Sequence, residues 1–228
     1  MDVTFYGHST IQIDTTQASL LIDPFLTGNP LAEGLVDITR LNPDAILLTH
    51  AHGDHWGDTP AIALQSGAVV VANFEITQYL TANHGHENVQ PMNTGGSWTF
   101  DWGRVTQTWA RHSSSVPDGT YGGNPCGYII EAEGKCIYAA GDTSPFAEMK
   151  WIGDDYNIDL ALLPVGDCFT MGPSGSLRAA SLIGAKRVVP IHYDTFPLIE
   201  VDIETWRKAM SDQGQDTVVL KPGERLTV

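Results

Sequence analysis

Four short apolar runs in this chain each stop just short of a histidine or an aspartate, and that arrangement restricts the fold more than any other feature. Ala45-Ile46-Leu47-Leu48 leads to His50, Val105–Ala110 to His112, Cys136–Ala140 to Asp142, and Val188–Ile191 to His192. Runs of this length, apolar and bounded by turn residues, read as buried strands. In layered α/β architectures the loops leaving separate strands converge at one end of the sheet, where functional groups collect. Alone, His112, Asp142 or His192 reads as a turn or core residue. Metal-capable side chains at four strand ends point to one site assembled from distant parts of the chain.

The first of these ends is the densest. His50, Ala51, His52, Gly53, Asp54 and His55 place three imidazoles and a carboxylate within six residues. A neutral imidazole offers one nitrogen lone pair to a divalent cation, and a carboxylate adds charge. Fold stabilisation gives no reason for such crowding, whereas metal binding does.

The remaining pattern is that of a layered protein. Val3-Thr4-Phe5-Tyr6, Ile11-Gln12-Ile13 and Leu20-Leu21-Ile22 predict a β-meander. Asp58 and Pro60 predict a helix start and Gly67 its end, followed by a strand over Ala68–Val71. Hairpins are expected over Ser97–Ala110 and Gly127–Ala140, the second turning at Glu133-Gly134. Leu160–Leu163 reads as a strand. Ser174 predicts the cap of a helix ending at Gly184, a further helix covers Glu204–Met210, and two short strands finish the chain. The expectation is one α/β domain over residues 1–228, with two packed sheets, helices on the outer faces, and two similar halves. Asn83-His84-Gly85-His86 reads as a surface loop.

Twelve Lys and Arg against 27 Asp and Glu give a formal charge of −15, a field that repels phosphate backbones and anionic membranes. Nucleic acid and membranes are therefore not expected as partners. Three cysteines, Cys126, Cys136 and Cys168, lack C-x-x-C spacing and suit reduced thiols better than disulfides or a zinc knuckle. The start of the chain has no basic segment followed by an apolar one, and no run approaches a membrane span, so a cytoplasmic chain is expected. A homo-oligomer is compatible with the sequence, which does not specify one.

The segments T-H-A-H-G-D-H-W-G-D, A-R-H-S-S-S, A-A-G-D-T and V-P-I-H-Y resemble the ordered motifs of the metallo-β-lactamase superfamily. G-H-S at residues 7–9, G-D-C-F-T-M-G-P at 166–173 and P-I-H-Y-D-T-F-P at 190–197 narrow the likeness to the UPF0173 metal-dependent hydrolases, related to the ascorbate-6-phosphate lactonase-like branch. The resemblance implies a four-layer αββα sandwich. It implies that His50, His52 and His112 hold one metal, that Asp54, His55 and His192 hold a second, and that Asp142 bridges them. Similar sequences carry an acidic pair after Met171-Gly172-Pro173, where this chain has Ser174-Gly175-Ser176.

These ligands imply a hydrolase in which a hydroxide activated by two divalent ions attacks a small-molecule ester, lactone, thioester or phosphodiester. Asp54 is expected to orient that hydroxide. His8 reads either as a turn residue or as a pocket group donating to substrate or leaving group, and Asp23 either as a turn residue or as an acceptor for a ligand imidazole. Trp56, Phe25 and Phe169 are candidate pocket walls. Imidazole and carboxylate suit Zn²⁺, Mn²⁺, Fe or Ni²⁺, with Zn²⁺ the default by resemblance. Rival readings are an iron oxidoreductase of the sulfur dioxygenase kind, a nuclease, and a metal-binding module without catalysis. The acidic surface opposes the nuclease. Flavodiiron-type members, which place Glu where His52 stands, fit less well.

Overall fold

The computed structural model describes residues 1–228. β1 (Asp2–Gly7), β2 (Thr10–Asp14) and β3 (Ser19–Ile22) form the antiparallel meander that their alternation predicts. β4 (Ala45–Leu47) then pairs with β3 in parallel, so the connection must cross over rather than turn. A single turn, α1 (Gly53–Trp56), and α2 (Thr59–Ser66) lead to β5 (Val69–Asn73), α3 (Phe74–His84) and β6 (Val89–Met92).

The second half repeats this plan. β7 (Ser97–Phe100), β8 (Gly103–Trp109), β9 (Cys126–Ala132) and β10 (Lys135–Ala139) are antiparallel. α4 (Met149–Asp155), β11 (Leu160–Pro164), α5 (Pro173–Ile183), β12 (Arg187–Ile191), α6 (Ile203–Asp212) and β13 (Asp216–Thr217) follow, with β10 to β13 in parallel. β14 (Arg225–Thr227) returns to the first sheet and pairs with β1. The sheet orders are β14-β1-β2-β3-β4-β5-β6 and β13-β12-β11-β10-β9-β8-β7.

The burial pattern defines the layers. Ile11, Ile13 and Leu20 from the first sheet meet Ile130, Ile137 and Leu162 from the second, all fully buried in one inter-sheet core. Each such side chain contributes about 1.5–3 kcal/mol of burial. Alternate residues of the same strands face outward, Leu21, Ile46 and Val70 under α2 and α3, and Ala161, Leu163 and Val188 under α4, α5 and α6. Both faces of the central strands are thus covered, which is why they read as continuous apolar runs. The expected αββα sandwich is the architecture that forms.

Local differences from the sequence reading have physical causes. Asp58 precedes α2 but makes no capping bond there; its carboxylate accepts from the backbone N–H groups of Leu26 (3.0 Å) and Thr27 (2.8 Å), pinning a neighbouring loop. α5 starts one residue before Ser174, with Gly172 at the cap position and Pro173 leading. The four residues expected as a surface loop split: His84 ends α3, while His86 is buried with Nε2 donating to Ala68 O (2.9 Å) and Asn88 O (3.1 Å). At the β9–β10 turn, Glu133 and Gly134 both have positive φ, as a two-residue hairpin requires.

Candidate metal centre

The site forms where the two sheets bring their strand ends together. From the first sheet come His8, after β1, and the segment 50–55, after β4. From the second come His112 after β8, Asp142 after β10 and His192 after β12. Hydrogen bonds join these loops: Arg111 N–H donates to Thr143 Oγ1 (2.9 Å), and Cys126 N–H to Thr49 O (2.9 Å). Gly141 has φ +62°, and a Cβ there would stand 2.6 Å from Cys126 O on β9 and 3.0 Å from Thr49 Cβ after β4, so glycine lets the chain before Asp142 pass between the two sheets.

Two groups of ligand atoms result. His50 Nε2 lies 3.1 Å and His112 Nε2 lies 3.3 Å from His52 Nδ1. In the second group, His8, Asp54, His55 and His192 each offer an atom within 4.8 Å of the others. Asp142 Oδ2 stands between the groups, 3.0 Å from His192 Nε2, 3.3 Å from His55, 3.5 Å from His112 and 4.0 Å from His50. All seven residues expected as ligands are therefore in one place. Asp54 reaches it from α1, closed by Gly57, which packs on Pro24 and Phe25.

The surroundings fix which ring nitrogens are free. Asp23 is fully buried, and its carboxylate accepts from Thr49 N–H (2.8 Å), Thr49 Oγ1–H (2.7 Å) and His55 Nδ1–H (2.8 Å). The Thr49 hydroxyl, committed as donor to Asp23, accepts from His50 Nδ1–H (3.0 Å). In both histidines the proton is thus on Nδ1 and the Nε2 lone pair points into the site. Of the two roles open to Asp23 in the sequence, the geometry gives both: φ is +44° and the carboxylate orients an imidazole. Sequence pattern does not mark Thr49, whose one signal is its place directly before His50.

Charge favours a cation. Burial holds the His50, His52 and His112 imidazoles below their ordinary range, which leaves them neutral. Burial alone would lower His55 too, but Asp142 and Asp23 outweigh it, so positive charge is favoured at Nε2, a proton in the metal-free protein or a cation that displaces it and meets the lone pair. Burial opposes ionisation of Asp142, yet His192 and His55 keep it ionised. His55 Nε2 and His192 Nε2 lie near Asp142 Oδ2 but lack hydrogen-bond geometry to it, and Asp142 Oδ1 has no partner, so all three are buried and unmatched. Left unmatched, each such atom costs about 1–3 kcal/mol. A divalent cation matches imidazole lone pairs and a carboxylate together, so this donor set fits a metal.

The other expected site residues divide. His8 is fully buried, with Nδ1 2.9 Å from Thr195 Oγ1 and Nε2 3.1 Å from Asp54 Oδ2. Phe25 packs edge-on against the His8 ring at 5.7 Å and stays half-buried, as a wall residue would. Trp56 is instead buried beneath α2 and α3, against Tyr79 and His84, and serves packing. Phe169 is 53% exposed on the loop after β11. Ser176, in the segment after Met171-Gly172-Pro173, is buried and accepts from Trp206 Nε1–H at 2.7 Å, tying α5 to α6. No helix is long and apolar enough to cross a membrane.

A family model described as the beta-lactamase superfamily domain matches residues 19–193. UPF0173 metal-dependent hydrolases from Salinibacter ruber and Thermus thermophilus are 49% and 48% identical, covering 98% and 99% of this chain and 98% of each relative. The solved structure of a metallo hydrolase from the archaeon Ignicoccus hospitalis superposes with a TM-score of 0.89 at 34% identity, over 100% of this chain and 97% of that one. A converging His and Asp donor set on this sandwich, together with relatives matched end to end, leads to one conclusion: the chain belongs to the β-lactamase superfamily and, within it, to the UPF0173 metal-dependent hydrolases.

Proposed function

We propose that residues 1–228 act as one hydrolase domain that binds two divalent cations, zinc by default, and cleaves a small-molecule ester, lactone, thioester or phosphodiester. The observation that carries this reading is Asp142 Oδ2, set within 4.0 Å of histidine nitrogens from both ligand groups. A carboxylate so placed would bridge two ions. His50, His52 and His112 would hold the first, and Asp54, His55 and His192 the second. When bound, the pair supplies water that is acidic near neutral pH and an electrophile for the substrate's oxygen.

The chain's own residues supply position and proton handling. Asp54 is about one-third exposed while His55 and His192 behind it are buried, so the carboxylate oxygen turned away from His8 would hold the second cation with one lone pair and accept a hydrogen bond from the attacking water with the other. Asp23 and Thr49 hold His55 and His50 rigid behind the ligand atoms. Phe25 and Phe196, 6.3 Å apart, give the second-cation side an apolar lip that limits water entry. The charge of −15 favours neutral or weakly charged small substrates over polyanions.

The test is a panel of lactones, thioesters, phosphodiesters and β-lactams on zinc-loaded protein, run beside His50→Ala and Asp54→Asn. Hydrolysis of at least one class, lost in His50→Ala and slowed in Asp54→Asn with metal content retained, is expected. Turnover unchanged in His50→Ala contradicts the proposal.

A further inference from the structure

His8 and His192 are joined across the two sheets in a way that metal binding alone does not require. Both have left-handed backbone, with φ of +58° and +56°, and His192 N–H donates to His8 O at 2.7 Å. Their rings lie 4.1 Å apart, centroid to centroid. Non-glycine residues at positive φ carry a cost and persist where surrounding contacts enforce them. Here the enforced geometry aims His8 Nε2 at Asp54 Oδ2, 3.1 Å away, in the one hydrogen bond the Asp54 carboxylate makes.

The proton positions follow from donor chemistry. An ionised carboxylate only accepts, so His8 Nε2 must carry the hydrogen. In the neutral ring His8 Nδ1 then has only a lone pair, and the group beside it, Thr195 Oγ1 at 2.9 Å, donates. The hydroxyl's other acceptor, Tyr193 O, is farther away at 3.3 Å. The order is Thr195 O–H to His8 Nδ1, then His8 Nε2–H to Asp54 Oδ2. It parallels the pairing of Asp23 with His55: a buried group fixes the orientation of a ligand residue from behind.

We propose that His8 and Thr195 are positioning residues that fix the Asp54 carboxylate, directing one oxygen to His8 and leaving the other for the second cation. This rests on the two-cation reading above. His8, fully buried with both ring nitrogens engaged, then has no proton to give to a leaving group. Thr195 lies three residues beyond His192, so a single loop would supply one ligand and the support for another.

The experiment measures stepwise zinc affinity by competition with a chromogenic chelator for wild type, Thr195→Val, Thr195→Ser, His8→Gln and His8→Phe. Wild type should take up two ions. Thr195→Val and His8→Phe should weaken the second by about ten- to a hundredfold with the first unchanged, as loss of a group orienting a ligand does. Thr195→Ser should match wild type, and His8→Gln, which keeps an N–H, should fall between. In nitrogen-edited NMR of histidine-labelled wild type, His8 Nε2 should stay protonated before and after loading. Second-ion affinity matching wild type in both Thr195→Val and His8→Phe overturns the proposal. So does scalar coupling between His8 Nε2 and a spin-active cadmium ion, which would make His8 a ligand. Fewer than two ions in wild type overturns the two-cation reading itself, and the positioning role with it.

Discussion

Asp23→Asn isolates the support of the site from the ligands themselves. Asparagine matches aspartate in shape and is among the residues most tolerant of positive φ, so the backbone at +44° is not an added strain. The Asp23 carboxylate receives three buried donors, two from Thr49 and one from His55 Nδ1. In the variant one terminal atom becomes an NH₂, which cannot accept. The Thr49 hydroxyl can rotate away, but His55 Nδ1–H then faces another donor. Either that donor stays unmatched, costing the metal-free protein about 1–3 kcal/mol, or the proton moves to Nε2 and points at the cation position. For a chain of this size each lost kcal/mol lowers Tm by about 2–4 °C. Loss of a group orienting a ligand costs about 10–100-fold in metal affinity, equivalent to about 1.4–2.8 kcal/mol. Chelator competition reads the affinity, and calorimetry of metal-free protein reads Tm. Wild-type zinc affinity in a folded Asp23→Asn protein would refute the reasoning.

Two further perturbations probe other parts of the account. Burial pushes the Cys126 and Cys136 thiols up to about 12, whereas Cys168 is exposed; thiol reagent at about pH 8 should therefore label one cysteine in native protein, since the thiolate is the reactive form. Mass spectrometry counts the adducts, and a second adduct without unfolding contradicts the packing. Ser176→Ala removes the acceptor of the buried Trp206 Nε1–H, so it should cost about 1–3 kcal/mol of stability while metal content stays at the wild-type level; a change in metal content would mean that α5 is coupled to the site.

The parts of this molecule legible in its sequence were those governed by local pattern. The central strands are covered on both faces and so appear as apolar runs, and His50, His112, Asp142 and His192 stand at their ends because the sheets share one loop-bearing edge. What was not legible depends on contacts between distant segments. His86 looks like a loop residue until the carbonyls of Ala68 and Asn88 are seen to surround it. Asp58 has the residue type of a helix cap, but the N–H groups of Leu26 and Thr27 compete successfully for its carboxylate. α3 is masked in the sequence, because Phe74, Ile76, Thr77 and Tyr79 are strand-prone residues; Asn73, whose side chain accepts from Ile76 N–H, is the local signal. Thr49 and Thr195 carry no signal beyond adjacency to a motif, since their roles exist only once His50 and His8 are folded against them.

The central claim, that the two ligand groups share Asp142 and hold a pair of ions, is tested most directly by anomalous-scattering crystallography of zinc-loaded protein. The account predicts two peaks about 3.5–4 Å apart, one among His50, His52 and His112, the other among Asp54, His55 and His192, with Asp142 touching both. A single peak, or a pair with Asp142 bound to neither ion, would contradict it.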